Sequence, residues 1–385
     1  MKILYITTDW NTPYRIATGE YGGVGYYRAY GPAKALRSEG HLVDVKGHDF
    51  GAELESNDLM NSYKKVFDGY DVVVMKQADT RNASTLIGAC KTLDIPIVMD
   101  LDDLIIDMDE DNPAAELGYG DGGVKKAMAA ASLSMCDALF VSTQPLKDEY
   151  QKFLKESIGM DMPIYVLPNC MDFTMWTKMK KHDDDWMRLG WQGSITHDGD
   201  LKIVVPQIHE LMKKHPKLCL SLTGGIRQET YDTMFLEKFK KNELERVDVL
   251  RGTESYPPFP EYLSRHQWDI GIVPLKNTRF ANCKSHIKWM ENSLLGVPSI
   301  VSDTYPYTEP IDGLNVVVDG ETGLISKDSE WYDKIESLID NEKERRRLAK
   351  NAYRFVREEW TYNKHIYKWE SAFQSVLNEG SKSLT

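Results

Sequence analysis

The sequence is poor in cysteine, and its few cysteines do not form a framework. Only five of the 385 residues are cysteine, at positions 90, 136, 170, 219 and 283, and no C-x-x-C pair occurs. An odd number of widely spaced cysteines predicts neither a set of disulfides nor a thiolate zinc site. The cytoplasm is therefore the expected compartment.

Long hydrophobic runs are also missing. The longest apolar stretches, such as Ile3–Ile6 and Ala138–Val141, are far shorter than the roughly 20 residues that a membrane helix needs. The first six residues have too short an apolar core and no cleavage site for a signal peptide. We expect no transmembrane segment and interpret residues 2–7 as a first β-strand.

Basic residues are scarce in the first half of the chain. The net charge is −12, and residues 1–172 contain 16 Lys and Arg against 27 Asp and Glu, whereas residues 173–385 contain 31 against 32. This negative charge opposes general binding to nucleic acid or anionic lipid. The second half is the better place for a bound phosphate.

Several catalytic signatures are absent as well. The sequence has no H-E-x-x-H, no G-x-S-x-G and no Walker lysine loop, which disfavours hydrolases and P-loop enzymes. It does have an acidic cluster, in which Asp100, Asp102 and Asp103 end a predicted strand. These carboxylates suit Mg²⁺ or Mn²⁺ binding, acceptor binding or proton handling by Asp102 or Asp103, or a solvated loop, and all three interpretations stay open.

Short apolar strands alternate with amphipathic helices in two series. The predicted strands lie at 2–7, 42–46, 72–75, 97–100, 138–141 and 165–167, and then at 189–191, 219–222, 247–250, 270–273, 299–301 and 316–318. Such alternation is typical of parallel sheets covered by helices on both faces. We predict an α/β protein with two Rossmann-like domains, at 1–172 and 187–359. A linker at 173–186 joins them, and a C-terminal helical segment follows at 360–385.

A glycine-rich stretch follows the first strand, at the sheet edge where such folds bind ligands. Glycine lets the backbone approach a ligand closely, although the stretch is not a G-x-G-x-x-G fingerprint. The residues predicted to contact a ligand here are Gly22, Gly23, Val24, Gly25 and Arg28. A plain tight turn is the alternative.

The segment after the strand at 270–273 predicts an anion site. Ser285 is a suitable N-cap and Gly296 a suitable stop, so a helix of about ten residues should place Lys284, Lys288 and Glu291 on one face. Two lysines, free amides and the helix dipole would then converge. The predicted donor-binding residues are Gly193 and Ser194, after the strand at 189–191, and Lys284, Ser285, His286, Ile287, Lys288 and Glu291. A solvated Lys–Glu pair and an ordinary turn are the alternatives.

These motifs, in this order, resemble the retaining, nucleotide-sugar-dependent glycosyltransferases of the GT-B fold, also called glycosyltransferase group 1. Gly22–Arg28 resembles the acceptor-side glycine loop, and Val166–Asp172 resembles the "P-N-G-x-D" that ends the first domain. Trp191–Ser194 is similar to the opening of the second domain, and Lys284–Glu291 to the donor-site helix. The resemblance covers nearly the whole chain, and the variant Gly25-Tyr26-Tyr27-Arg28 is similar to bacteriophage-type members.

The sequence departs from the family at the sugar and phosphate contacts. Glu291 matches the glutamate that contacts the ribose, but Cys283 stands where the first family glutamate would touch the sugar. The family's basic pair is missing at Gly193–His197, so the resemblance implies that Lys284 and Lys288 neutralise the diphosphate. Asp102 and Asp103 occupy the region where many relatives carry histidine.

The resemblance implies transfer of a sugar from a nucleoside-diphosphate sugar to an acceptor hydroxyl, with retention and without a metal or a further cofactor. Its implied catalytic residues are Lys284, Lys288, Asp102 and Asp103. The expected acceptor is a glycan, a lipid-linked sugar or a small metabolite, with a hydroxymethylated DNA base as an alternative. A sugar-nucleotide epimerase and a non-catalytic nucleotide-sugar-binding protein are further alternatives. As in relatives, the C-terminal helix should cross back to the first domain and pack through Trp360, Tyr367, Trp369 and Phe373.

Overall fold

The computed structural model describes residues 1–7, 21–47, 58–76, 83–110, 112–251 and 256–382. They form two six-stranded sheets, ordered β2-β1-β3-β4-β5-β6 and β12-β11-β10-β7-β8-β9, in which every strand pair is parallel. The first sheet contains β1 Lys2–Thr7, β2 Leu42–Gly47, β3 Val72–Lys76, β4 Ile97–Leu101, β5 Ala138–Val141 and β6 Ile164–Val166. The second contains β7 Met187–Gly193, β8 Leu218–Gly224, β9 Val247–Arg251, β10 Ile270–Val273, β11 Ser299–Ser302 and β12 Leu324–Ser326.

Helices cover both faces of each sheet. The longer ones are Gly31–Ser38, Leu59–Phe67, Ala83–Thr92, Val124–Leu133, Gln144–Phe153, Val205–Lys214, Phe259–Ser264, Ile287–Leu295, Trp331–Ile339, Glu342–Glu359 and Tyr362–Lys382. A π-helical turn, Tyr26–Tyr30, leads into the first of them. Because helices lie on both faces, every residue of β3, β4 and β5 is buried, as is typical of parallel sheets. The predicted α/β class with two Rossmann-like sheets is confirmed.

The strand orders determine where ligands bind. In the second sheet the order in which strands are added reverses between β7 and β10, which are parallel neighbours. The carboxyl ends of two such strands leave a crevice, and ligands of doubly wound sheets bind there. In the first sheet β1 and β3 are the corresponding neighbours. The glycine stretch follows β1, and Gly193 ends β7.

One predicted strand is wrong. Residues 316–318 were expected to form the last strand of the second sheet, but β12 takes that place and pairs with β11. Val316 and Val317 are buried, yet the next residue enters a turn, in which the Val318 amide donates to Thr322 Oγ1 at 2.8 Å. The apolar composition therefore predicted burial correctly, while the turn at 318–323 removes these residues from the sheet.

The C-terminal helix returns to the first sheet. Trp369 and Phe373 are fully buried among residues of β1, β3 and β5, and the Phe373 ring lies 5.3 Å from the Phe140 ring. Trp360 packs instead in the cluster between the two sheets, and Tyr367 is exposed. Trp369 and Phe373 therefore pack as the predicted crossing requires, whereas Trp360 and Tyr367 lie outside this cluster, and the prediction is wrong for Tyr367. The domain boundaries at 172 and 187 stay a prediction.

Along the part of the chain that the structure describes, no helix combines the length and the apolar character needed to cross a bilayer.

Replacing Phe373 by alanine should lower the free energy of unfolding by about 3–5 kcal/mol, because it leaves a cavity against β1 and β5. Tyr367→Ala, on the exposed face of the same helix, should change it little. Urea unfolding of both variants checks this. Equal stabilities of the two variants would contradict the packing of the helix on the first sheet.

Candidate active site

A cavity of about 580 Å³ lies between the carboxyl edges of the two sheets. Of the residues predicted to bind or act on a ligand, those that line it are Gly22, Gly23, Val24, Asp102, Asp103, Gly193, Ser194, Lys284, Ser285, Ile287, Lys288 and Glu291. The first five belong to the first sheet's domain and the others to the second's. The cavity therefore joins the two predicted sites into one.

Glycine is required where the second sheet meets the cavity. Gly224, at the end of β8, has φ +112°, and a Cβ atom there would lie 2.0 Å from the Gly193 carbonyl oxygen. The amide of Gly225 donates to the same oxygen at 3.0 Å. This close approach brings the ends of β7 and β8 together and leaves backbone as the floor of the cavity beside Ser194.

The predicted helix begins later than expected and carries Lys288 and Glu291 but not Lys284, so the prediction of all three residues on one helical face is wrong. It spans Ile287–Leu295 and ends as expected at Gly296, whose φ of 75° is left-handed. Ser285 is not its N-cap. The N-cap residue is His286, whose side chain forms no capping hydrogen bond. The Ser285 hydroxyl instead accepts a hydrogen bond from Asn169 Nδ2 at 2.9 Å. A predicted cap is thus a contact between the two domains.

Lys288 is a partly buried cation at the wall of the cavity. Within the described ranges, no hydrogen bond or ion pair holds its ammonium group, whose nearest aromatic neighbour is the Trp191 ring at 5.7 Å. Burial lowers the pKa of Lys288 to about 8; Lys284 adds to this effect, whereas Asp200 and Glu291 oppose it. A bound anion would remove this electrostatic cost.

Asp102 and Asp103, which line the cavity, are each paired with a lysine. Lys76, at the end of β3, pairs with Asp102 at 2.8 Å, and Lys284 of the second domain pairs with Asp103 of the first at 2.6 Å. Burial opposes ionisation of Asp103, but the Lys284 ammonium prevails and lowers its pKa. Each aspartate is thus held by a lysine, an arrangement unlike a carboxylate pair that binds a divalent metal.

Glu291 is buried and accepts three hydrogen bonds. Tyr27 donates to its Oε1 at 2.7 Å, Tyr256 donates to the same oxygen, and Gln192 Nε2 donates to Oε2 at 2.8 Å. Burial raises the pKa of Glu291 to about 7, although the tyrosine hydroxyls, Lys288 and Gln192 favour the ionised form. One lone-pair site on Oε2 remains available to a ligand.

The Arg28 side chain does not line the cavity, contrary to the prediction. It is fully buried and forms a bidentate pair with Asp100, Nε to Oδ1 at 2.8 Å and Nη2 to Oδ2 at 2.9 Å. Nη1 donates to the Leu167 carbonyl and to Asn169 Oδ1. Arg28 therefore joins β4 to the end of the first domain. Gly25, buried behind Gly23, also lies outside the cavity lining.

The His286 side chain also points away from the cavity. Its ring is buried against Trp360, with ring centres 4.3 Å apart, and burial lowers its pKa to about 3. Only the backbone of His286 is near the predicted anion site. Cys283 is buried in the hydrophobic core of the first domain and does not line the cavity, so its thiol does not replace the missing glutamate.

Sequence reasoning missed the residues that hold Glu291. Tyr27 lies inside the glycine stretch, so its position beside the predicted ligand contacts was a usable signal. Tyr256 and Gln192 belong to no motif that points to Glu291. His197 was missed as well; it lines the cavity and its Nδ1 lies 2.9 Å from Asp200 Oδ2.

Comparison with known proteins identifies the fold. No family model and no curated protein sequence matches the chain, but solved structures do. Sucrose-phosphate synthase from Thermosynechococcus elongatus has a TM-score of 0.65 at 12% identity, over 98% of this chain and 100% of that one. An α-glucosyltransferase in complex with UDP and DNA containing an HMU base has a TM-score of 0.67 at 12% identity, over 97% of this chain and 99% of that one. HepE from Anabaena, in complex with UDP, has a TM-score of 0.59 at 13% identity, over 100% of this chain and 99% of that one.

These neighbours are GT-B glycosyltransferases, and the predicted GT-B fold is confirmed. At such low identity the likeness concerns the fold alone. The role of each residue in the cavity must be argued from its own geometry.

Arg28→Ala should lower the free energy of unfolding by about 3–5 kcal/mol, because it leaves Asp100 charged and buried without its partner. Arg265→Ala removes an arginine from the exposed pair with Glu261 and should change stability little. Denaturant titrations of both variants test this. If the Arg28→Ala protein had normal stability but no longer bound a substrate, the prediction that Arg28 contacts a ligand would be correct.

Proposed function

We propose that the chain is a glycosyltransferase that moves a sugar from a nucleoside-diphosphate sugar to an acceptor hydroxyl, with retention of the anomeric configuration. One observation carries this proposal. The uncompensated cation of Lys288 and the buried carboxylate of Glu291 lie one turn apart on a helix that begins at the cavity, beside the reversal point of the second sheet. A cation suits a diphosphate, and a carboxylate suits a ribose hydroxyl.

The leaving group accounts for the lysines. When the sugar departs, negative charge grows on the diphosphate, and preorganised positive groups stabilise it. Lys288 supplies a cation that no described carboxylate neutralises. Lys284 supplies a second when the diphosphate competes with Asp103 for it, and the first amides of the Ile287–Leu295 helix add the positive end of its dipole.

Glu291 is assigned to the ribose. Its Oε1 is occupied by the two tyrosines, and its Oε2 keeps one site for a ribose hydroxyl. A carboxylate is a strong acceptor for such a hydroxyl in a buried site. Gly193 and Ser194 are assigned to the phosphates from the opposite strand end.

The acceptor is assigned to the first domain. Gly22, Gly23 and Val24 offer backbone at the wall of the cavity, and Asp102 and Asp103 face the lysines across it. Asp103 is placed to orient an acceptor hydroxyl, because diphosphate binding would draw Lys284 away from it. In a retaining front-face reaction the leaving phosphate oxygen helps to take the acceptor proton. We propose no metal and no cofactor, so turnover should persist in excess chelator.

The proposed acceptor is a glycan, a lipid-linked sugar or a small metabolite. A hydroxymethylated base in DNA is the second candidate, favoured by the TM-score of 0.67 to the α-glucosyltransferase bound to DNA with an HMU base. The acidic first domain opposes duplex DNA, because residues 1–172 contain 16 Lys and Arg against 27 Asp and Glu.

The activity is tested by incubating the protein with UDP-, GDP-, ADP- and TDP-sugars and measuring release of the nucleoside diphosphate. Acceptor arms contain oligosaccharides, lipid-linked sugars, small polyols, or DNA with and without hydroxymethyluracil. The proposal predicts acceptor-dependent release. Conversion of the sugar without release would identify an epimerase, and binding without turnover a non-catalytic protein.

Lys284→Ala and Lys288→Ala should each lower turnover by about 10²–10³, the typical loss for one electrostatic donor. Lys202→Ala, at an exposed position of the same domain, should leave turnover unchanged. Steady-state rates with the active donor test this. Normal rates in both cavity variants would remove the lysines from the mechanism.

The affinity for the nucleoside diphosphate should fall as the pH rises through about 8, the pKa to which burial lowers Lys288. The ammonium form binds the anion, and this form predominates below that pKa and disappears above it. Calorimetric titration between pH 7 and 9.5 measures this. In Lys288→Ala the affinity should be weak throughout and lose this dependence; an unchanged pH profile would assign it to another group.

A further inference from the structure

The hydrogen bonds of Glu291 come from both domains. Tyr27 belongs to the π-helical turn after the glycine stretch, in the first domain, whereas Gln192, Tyr256 and Glu291 belong to the second. Tyr27, Tyr256 and Glu291 are all at most 4% exposed, and the two tyrosine hydroxyls lie 3.1 Å apart. A carboxylate of the second domain is therefore held in part by a hydroxyl of the first.

We infer that Tyr27 is a positioning residue for the nucleotide: it holds Oε1 of Glu291 so that Oε2 faces the ribose, and it does so only while the two domains lie together. This inference rests on the proposed function, because it needs Glu291 to bind the ribose. It makes nucleotide affinity depend on a side chain of the acceptor domain.

The geometry of the carboxylate supports this role. Two hydroxyls donate to Oε1, which fills its two lone-pair sites, while Oε2 receives only Gln192 Nε2 at 2.8 Å. A ligand hydroxyl therefore has a single place to donate. Fixing the carboxylate before binding reduces the entropy that the ligand must overcome. Without Tyr27, Oε1 would keep only the Tyr256 hydroxyl.

Tyr27 is itself fixed from the junction between the domains. Tyr362, the first residue of the C-terminal helix, donates from its hydroxyl to the Tyr27 carbonyl oxygen at 2.9 Å. Its ring packs on Gly31, where a Cβ atom would lie 2.4 Å from the ring. The chain crosses between the domains just before Tyr362. At this crossing the Met171 amide donates to the Trp360 carbonyl oxygen at 2.8 Å. Hydrogen bonds thus lead from the crossing to Glu291.

The test compares two neighbouring tyrosines. Tyr27→Phe removes only the hydroxyl that donates to Glu291. Tyr26→Phe is the matched control, because the Tyr26 ring stacks on Tyr256 with centres 4.5 Å apart, while its hydroxyl is buried without a hydrogen-bond partner among the described residues. Both variants lose one buried hydroxyl, and only one loses a bond to the carboxylate.

Two quantities are measured for each variant and the wild type. The first is the affinity for UDP, GDP, ADP and TDP by calorimetry across pH 5.5 to 8. The second is the pKa of Glu291 without nucleotide, from the ¹³C shift of its carboxyl carbon, assigned with Glu291→Gln. The groups that face this carboxyl are Tyr27, Tyr256, Gln192 and Lys288, and Tyr27→Phe changes only the first of them.

For Tyr27→Phe we expect about tenfold weaker binding of the nucleotide that the wild type binds best, as the loss of one hydrogen bond to a charged group implies. The pKa of Glu291 should rise by about one pH unit, and the acid limb of binding should move with it. Tyr26→Phe should match the wild type in both measurements. A purely structural role of Tyr27 would weaken binding without moving the pKa.

If the wild type binds a nucleotide and the two variants cannot be distinguished in affinity and in the pKa, the inference is overturned while the proposed function stands. If the wild type binds none of the four nucleotides, the proposed function fails, and the inference fails with it. In a Glu291→Gln background, Tyr27→Phe should no longer move the acid limb of binding. A persisting shift would show that Tyr27 acts on another group.

Discussion

The structure depends on keeping one buried carboxylate satisfied. Glu291 lies where two sheets and two domains meet, and an ionised carboxylate there is costly unless donors surround it. Its donors come from three separate segments, at Tyr27, Gln192 and Tyr256. The domains, the end of β7 and the segment that carries Tyr256 must therefore be arranged together to keep the pKa of Glu291 from rising above about 7.

The charges around this carboxylate are paired with one exception. Lys76 holds Asp102, and Lys284 holds Asp103 across the cavity, while Lys288 has no described counterion. Lys284 of the second domain is paired with Asp103 of the first, whereas Lys288 beside it is not paired. An anion that binds between the two lysines would contact both. Binding would compensate Lys288 and rearrange Lys284, so the electrostatics of the cavity favour the binding of an anion.

Local patterns in the sequence predicted the sheets and most of the cavity. Strand periodicity placed nearly all strands, Gly296 marked a helix end, and helical spacing brought Lys288 and Glu291 to one cavity, which Lys284 reaches from the segment before that helix. Arg28 was misassigned because its partner Asp100 is 72 residues away, and no local pattern distinguishes a buried ion pair from a ligand contact. The cap role of Ser285 and the cavity position of the His286 side chain were mispredicted for the same reason: their partners Asn169 and Trp360 come from distant parts of the chain. Residues 316–318 have the composition of a strand but lead into a turn.

The account's central claim is that a nucleoside diphosphate binds in the cavity with its phosphates at Lys288 and its ribose at Glu291. A crystal structure of the protein with UDP, or with another nucleotide that it binds, measures this directly. The account predicts a phosphate oxygen within hydrogen-bond distance of Lys288 Nζ and a ribose hydroxyl donating to Glu291 Oε2. A nucleotide bound outside the cavity, or one whose base lies at Glu291 and whose phosphates lie away from Lys288, would contradict it.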